Sequence, residues 1–168
     1  MIRLSAIAAS VLMLTPLPAF AAPAPTTPEA IMAAAYKALE GDVEAPFIPF
    51  SARLKALFAL EKREVPEGDL GRLDFDWLVD GQDSKITATK ITSRTVEFAP
   101  NRKIVVVRFR NFDKALENHF FWEKDAKGKW VLDDVRSIEP DGPGFTLSLV
   151  LKYGWDGAEE MLEGAKAD

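Results

Sequence analysis

Lys103-Ile104-Val105-Val106-Val107-Arg108-Phe109-Arg110-Asn111-Phe112 is the stretch that decides the fold class of this chain. Successive side chains of a strand point to opposite faces. Val105, Val107 and Phe109 therefore share one face, and Ile104, Val106, Arg108 and Arg110 share the other. Upstream, Thr, Ile and Val dominate Ile86–Phe98, which predicts a strand turning back at Pro100-Asn101. Downstream, Asn118–Lys124 and Trp130–Ile138 predict two more strands joined by a tight turn at Asp125-Ala126-Lys127-Gly128. The last strand breaks its alternation: Trp130 and Leu132 point one way and Val135 the other. A bulge at Asp133-Asp134 would return Val135 to the Trp130 face.

Two helices are expected before the strands. Thr26 or Thr27 starts the first, with Glu29 at capping-box spacing from Thr26 and Pro28 tolerated in the first turn. Ile31, Ala35 and Leu39 recur every four residues beside Met32 and Tyr36, and Gly41 ends the helix. Pro46 and Pro49 keep Ala45–Phe50 extended. Ser51 caps the second helix, with Leu54, Leu57 and Phe58 as its apolar stripe and Pro66 and Gly68 closing it. After Gly142-Pro143-Gly144, Phe145–Lys152 reads as a short helix, and Asp156–Glu163 as a last one packing Met161 and Leu162. Helices followed by consecutive antiparallel strands are an α+β order. Residues 28–168 form one domain, with N-terminal helices packed on a curved, cone-like antiparallel sheet and short C-terminal helices.

The chain has 168 residues, a net charge of −5 and no cysteine. Met1–Ala21 has the order of a signal peptide: Arg3, an apolar run from Leu4 to Leu14, a Pro-containing segment, then Ala19-Phe20-Ala21. The run is shorter than the roughly 20 residues a spanning helix needs. Cleavage is expected after Ala21, leaving 22–27 as a flexible leader and the protein periplasmic or secreted. Acidic charge argues against a nucleic-acid partner, which needs a basic face. There is no basic juxtamembrane cluster to hold the chain on anionic lipid, and no lipobox cysteine anchors it in a membrane.

The order of several blocks resembles small secreted bacterial proteins of unknown function with a nuclear-transport-factor-2-like cone fold, among them the YbjP-like lipoproteins. The matching pieces are Ser51-x-x-Leu54-x-x-Leu57-Phe58, Leu73-Asp74-Phe75-Asp76, Gln82-Asp83, Val105-x-Val107-x-Phe109 and Trp130-Val131-Leu132-Asp133-Asp134-Val135. Together they cover most of Tyr36–Val135. The resemblance implies a fold and a compartment, and no settled activity. It also implies that a pocket aspartate or histidine could act as a general base, as in enzymes of the wider cone superfamily.

Asp76 and Asp83 are the candidate bases, Gln82 a candidate orienting amide, and His119, the only histidine, a candidate proton shuttle. Against that role, Gln82-Asp83 could simply tie down the start of the sheet through backbone hydrogen bonds. The carboxylates of Asp74–Asp83 do not make a cation loop, because Leu78 and Val79 interrupt the alternation such a loop needs. No metal or other cofactor is implied. Arg108 and Arg110 could clamp an anion, or could be a solvated face paired with Glu123 or Asp134. Tyr36, Trp77 and Trp122 are candidate pocket walls.

These features predict a non-catalytic module that binds a small apolar or amphipathic ligand or an envelope protein. A lyase or isomerase using Asp76 or Asp83 with His119 is the alternative. A third reading is an inhibitor or immunity protein presenting Phe112–Glu117 as a protruding loop. The Ile104/Val106 face would permit a homodimer.

Overall fold

The computed structural model describes residues 24–66, 69–139, 142 and 144–164. The stretch expected to be a signal peptide, its expected cleavage site and Gly68 lie outside them. The fold is α+β. Helices α1 (Pro28–Glu40) and α2 (Ala52–Glu64) precede strands β1 (Ile86–Val96), β2 (Ala99–Asn111), β3 (Lys114–Lys124) and β4 (Trp130–Ile138), and α3 (Leu147–Gly164) follows. The sheet is antiparallel in the order β1-β2-β3-β4.

Local chemistry explains the helix ends. Thr27 is the N-cap of α1, its hydroxyl accepting from the Ala30 N–H, with Pro28 as the first helical residue. Ser51 caps α2 by accepting from the Leu54 N–H. Ile31, Met32, Ala35 and Tyr36 bury one face of α1, as the four-residue recurrence predicts. α3 is broken at Gly154, which takes φ 74° and ψ −178°. Beyond that break Ala158 is the residue that buries, while Met161 is 53% exposed and does not pack as expected.

One sheet face carries the core. Val105, Val107 and Phe109 of β2 meet Leu116, Phe120 and Trp122 of β3 and Leu132 and Val135 of β4, with the helices laid over them. In β4, Trp122 pairs with Leu132 and Phe121 with Asp134, which leaves Asp133 as the extra residue of a bulge. That extra residue is what brings Leu132 and Val135 to the same face, both fully buried. A second irregularity at Ala88–Thr89, with Ala88 at φ 55°, interrupts β1.

The chain reverses between β1 and β2 at Glu97-Phe98, not at Pro100-Asn101. Phe98 supplies the left-handed residue at φ 57°. Pro100 and Asn101 fall instead in the irregular stretch between the Val96–Ala99 and Thr95–Lys103 pairs, where a missing N–H is tolerated. Phe112–Glu117 is not a loop either. Asn111 already pairs with Lys114, so only Phe112 and Asp113 connect the strands. The protruding element that an inhibitor would need is absent there.

The β4 edge is covered. Ser51 N–H donates to the Leu132 carbonyl, Leu132 N–H to the Pro49 carbonyl, and Ser137 N–H to the Phe145 carbonyl. Among the described residues no helix is long and apolar enough to cross a membrane.

Candidate functional site

The predicted site residues separate onto two sides of the sheet. Tyr36 is fully buried, with its ring 5.0 Å from that of Phe109 and its hydroxyl donating to the Leu78 carbonyl. Burial pushes its phenol well above the ordinary value. Trp122 is 1% exposed among core residues. Trp77 is half-buried and meets Phe50 and Phe120 edge-on. Tyr36 and Trp77 pack into the core on the Val105/Val107/Phe109 face that the helices cover, while Trp122, also in the core, borders a concavity on the outer face of the sheet.

The Leu73–Asp83 block packs on that same core side. Leu78 and Val79 are buried, and the Leu78 carbonyl accepts from both Tyr36 and the buried Asn118 amide. Asp76 Oδ1 accepts from the Leu78 N–H at 2.8 Å, and Asp76 N–H donates to the Gly81 carbonyl. The residue reaches solvent, yet desolvation of its carboxyl outweighs the Leu78 bond and lifts it above the ordinary aspartate value. Asp80, in the left-handed region at φ 55°, accepts from the Ser137 hydroxyl at 2.7 Å. Burial, helped by the neighbouring Glu139 carboxylate, lifts it too. The Asp83 side chain is exposed, and its carbonyl accepts from Asn111 Nδ2. Asn111 also binds the Val79 carbonyl and the Lys85 N–H, so it ties the block to the end of β2. Gln82 is exposed.

His119 lies on the other face. It alternates with the core residues Asn118 and Phe120, and its Nε2 meets Glu117. Asp76 and Asp83 therefore do not share a concave site with His119, and the base-and-shuttle pairing is not assembled. The reason is strand parity: an odd-numbered position of β3 faces away from the helices. Arg108 faces outward as well, paired with Glu117 directly across the strands at 2.6 Å, rather than with Glu123 or Asp134. Partial burial alone would raise Glu117, but the His119 hydrogen bond and the Arg108 charge outweigh it and hold the carboxyl below its ordinary value. Arg110 donates to the Asp113 carbonyl. Both arginines border a shallow depression of about 350 Å³ floored by Ala88, Phe109, Leu116 and Ile138. Ile104 and Val106 sit between their cross-strand neighbours Arg94, Phe121, Thr92 and His119 on this face.

A second concavity, of about 470 Å³, opens on this outer face where β2, β3 and the start of β4 meet. Ile104, Phe121 and Val96 supply its apolar lining, and Arg53, Arg102 and Arg136 bring guanidinium groups to it. The bulge organises its acidic wall. Asp133 accepts from the Ser51 hydroxyl and from Arg53, at the N-terminus of α2. Asp134 accepts from the Ser148 N–H and hydroxyl in the first turn of α3, and from Arg53. Each carboxylate thus serves orphan N-terminal groups or the cap of a helix. Burial would raise Asp133, but its bonds from Arg53 and Ser51 hold it below the ordinary value.

With both aspartates engaged, the cations are unequally satisfied. Arg53 is held by Asp133 and Asp134 at 3.0 and 3.2 Å. Among the described residues Arg102 forms one ion pair, with Glu123 at 3.9 Å. Among the described residues Arg136 makes no ion pair and no side-chain hydrogen bond, so its fork remains available. Sequence reading does mark the Asp133-Asp134 bulge, but it does not link Arg53, Arg102 and Arg136. They lie far apart along the chain, and only the register of β2, β3 and β4 unites them.

Comparison with known protein families, with curated proteins and with solved structures finds no match.

Proposed function

We propose that the protein is an exported, non-catalytic binding module that takes a small amphipathic anion in the outer-face concavity. One observation carries the reading: an apolar lining at Ile104 and Phe121 adjoins the unpaired guanidinium of Arg136. The apolar part of a ligand would cover Ile104 and Phe121, while its carboxylate or phosphate would meet Arg136, with Arg102 beside it. The charge order, apolar run and Ala19-Phe20-Ala21 triplet of the first residues support export. Kinship with the cone-fold secreted proteins belongs to the same reading, supported by the order of the shared blocks. A catalytic alternative has no comparable support, because its aspartates and histidine lie on different sides of the sheet.

The test is titration with a fluorescent polyene fatty acid, cis-parinaric acid, followed by displacement with dodecanoate. Saturable binding is expected, and Arg136→Gln should weaken it about tenfold or more, the worth of a charge-assisted hydrogen bond. Absence of saturation, or an unchanged affinity in Arg136→Gln, would overturn the assignment.

A further inference from the structure

The strand register gathers a cationic end that no contiguous stretch of the sequence displays. The β1–β2 and β3–β4 connections leave the sheet at the same end, since Arg102 pairs with Glu123 and Lys124 with Trp130. Arg94, Arg102, Lys124, Lys127 and Lys129 are all exposed there. Three carboxylates share that end, Glu97, Glu123 and Asp125, so the five cations outnumber them. Asp125 accepts the backbone N–H groups of Lys127 and Lys129, and Glu123 lies 3.9 Å from Arg102. Among the described residues neither Glu97 nor Asp125 makes an ion pair. This concentration of cations occurs on a chain whose net charge is −5.

Phe98 stands in the β1–β2 turn at this end and is 97% exposed. It also occupies the left-handed region at φ 57°, where turns favour glycine or asparagine. A bulky aromatic there satisfies neither packing nor turn chemistry. The ammonium groups of Lys103 and Lys124 sit 5.4 and 5.2 Å from the Trp130 ring, Lys103 also paired with Glu29 at 2.7 Å. An exposed apolar side chain at the tip of one hairpin, with three lysines on the hairpin that leaves the sheet at the same end, matches a surface that is negative outside and apolar beneath.

We infer that this end of the sheet docks on an anionic lipid bilayer, with Phe98 inserted among the headgroups and Lys124, Lys127, Lys129 and Arg102 over their phosphates. The occupant follows from charge complementarity together with the exposed ring, because an anionic bilayer offers both anions and an apolar layer to the same tip. Val96 and Arg102 belong both to this end and to the lining of the outer-face concavity. Docking would therefore place that concavity at the membrane surface. The docking inference does not depend on the ligand reading.

The experiment is flotation of the processed protein with vesicles of phosphatidylcholine alone and of equimolar phosphatidylcholine and phosphatidylglycerol. Association with the anionic vesicles only is expected. Lys124→Glu/Lys127→Glu/Lys129→Glu should weaken it by roughly fivefold or more for each lysine changed, and the effect should shrink as salt is added. Phe98→Asn should weaken it several-fold at low and high salt alike. It should also raise the melting temperature, since asparagine accepts the left-handed conformation, so reduced flotation would not reflect misfolding. Arg136→Gln should leave flotation unchanged, which lets the docking and ligand readings fail separately. Equal association with neutral vesicles, or flotation unaltered in both the lysine and Phe98 variants, would overturn the inference.

Discussion

Asp133 is the residue β4 has in excess, and its placement outside the ladder frees its carboxylate for α2. It receives the Ser51 hydroxyl at 2.7 Å and the Arg53 guanidinium at 3.0 Å. Asp133→Asn keeps an acceptor for Ser51 and loses the charge. We expect a loss of about 1 kcal/mol, limited because Arg53 is half exposed and its pairing is screened by solvent. The pH dependence has a definite sign. Asp133 is held below its ordinary value of 3.8 in the folded protein. The stability it contributes is therefore present above that value and lost as pH falls through the lower, folded one. Guanidinium unfolding from about pH 7 down to about pH 2 should show a wild-type advantage over Asp133→Asn that is flat until about pH 4 and then shrinks.

The elements are joined by close backbone contacts that composition does not display. Gly144 takes φ 62°, immediately before Phe145, whose carbonyl accepts the Ser137 N–H. A Cβ at Gly144 would overlap the Ser137 carbonyl oxygen. Gly144→Ala should therefore cost about 3 kcal/mol, from the left-handed backbone and the overlap together, and lower the melting temperature by roughly 10 °C. Gly128→Ala is the comparison: φ is 76° but nothing lies within 4 Å of the added Cβ, so about 1 kcal/mol is expected. A thermal melt that ranks the two equally would show that the overlap is relieved. Much at this scale was legible beforehand. The Ser51 cap, the buried face of α1 and the β4 bulge follow from local spacing, because a cap or an alternation error is set by neighbours in the chain, whereas the capping-box spacing of Thr26 and Glu29 points one residue short of the Thr27 cap. The turn at Glu97-Phe98 was not legible. Pro and Asn are the usual turn signals, and Phe in the left-handed region gives none.

At the scale of the whole molecule, the two faces of the sheet divide the candidate residues. The helix-covered face takes Tyr36, Trp77, Trp122 and the Asp76 turn. The outer face takes His119, Arg108, Arg110 and the concavity beside Arg136. Among the described residues the core lies wholly at or after Pro28. Cleavage after Ala21 should consequently leave the domain intact. The intact mass of the exported protein is expected to begin at Ala22, and its melting temperature should match that of the chain expressed from Ala22. A mass that retains Met1–Ala21 would contradict the reading of the first residues. The sequence by itself determined the α+β class, the Ser51 cap and the bulge, since these depend on residues close together along the chain. Only the tertiary structure decided which sheet face is buried, which carboxylates are engaged and which cations meet. Those outcomes depend on strand register and helix placement, which bring together residues that no local pattern connects.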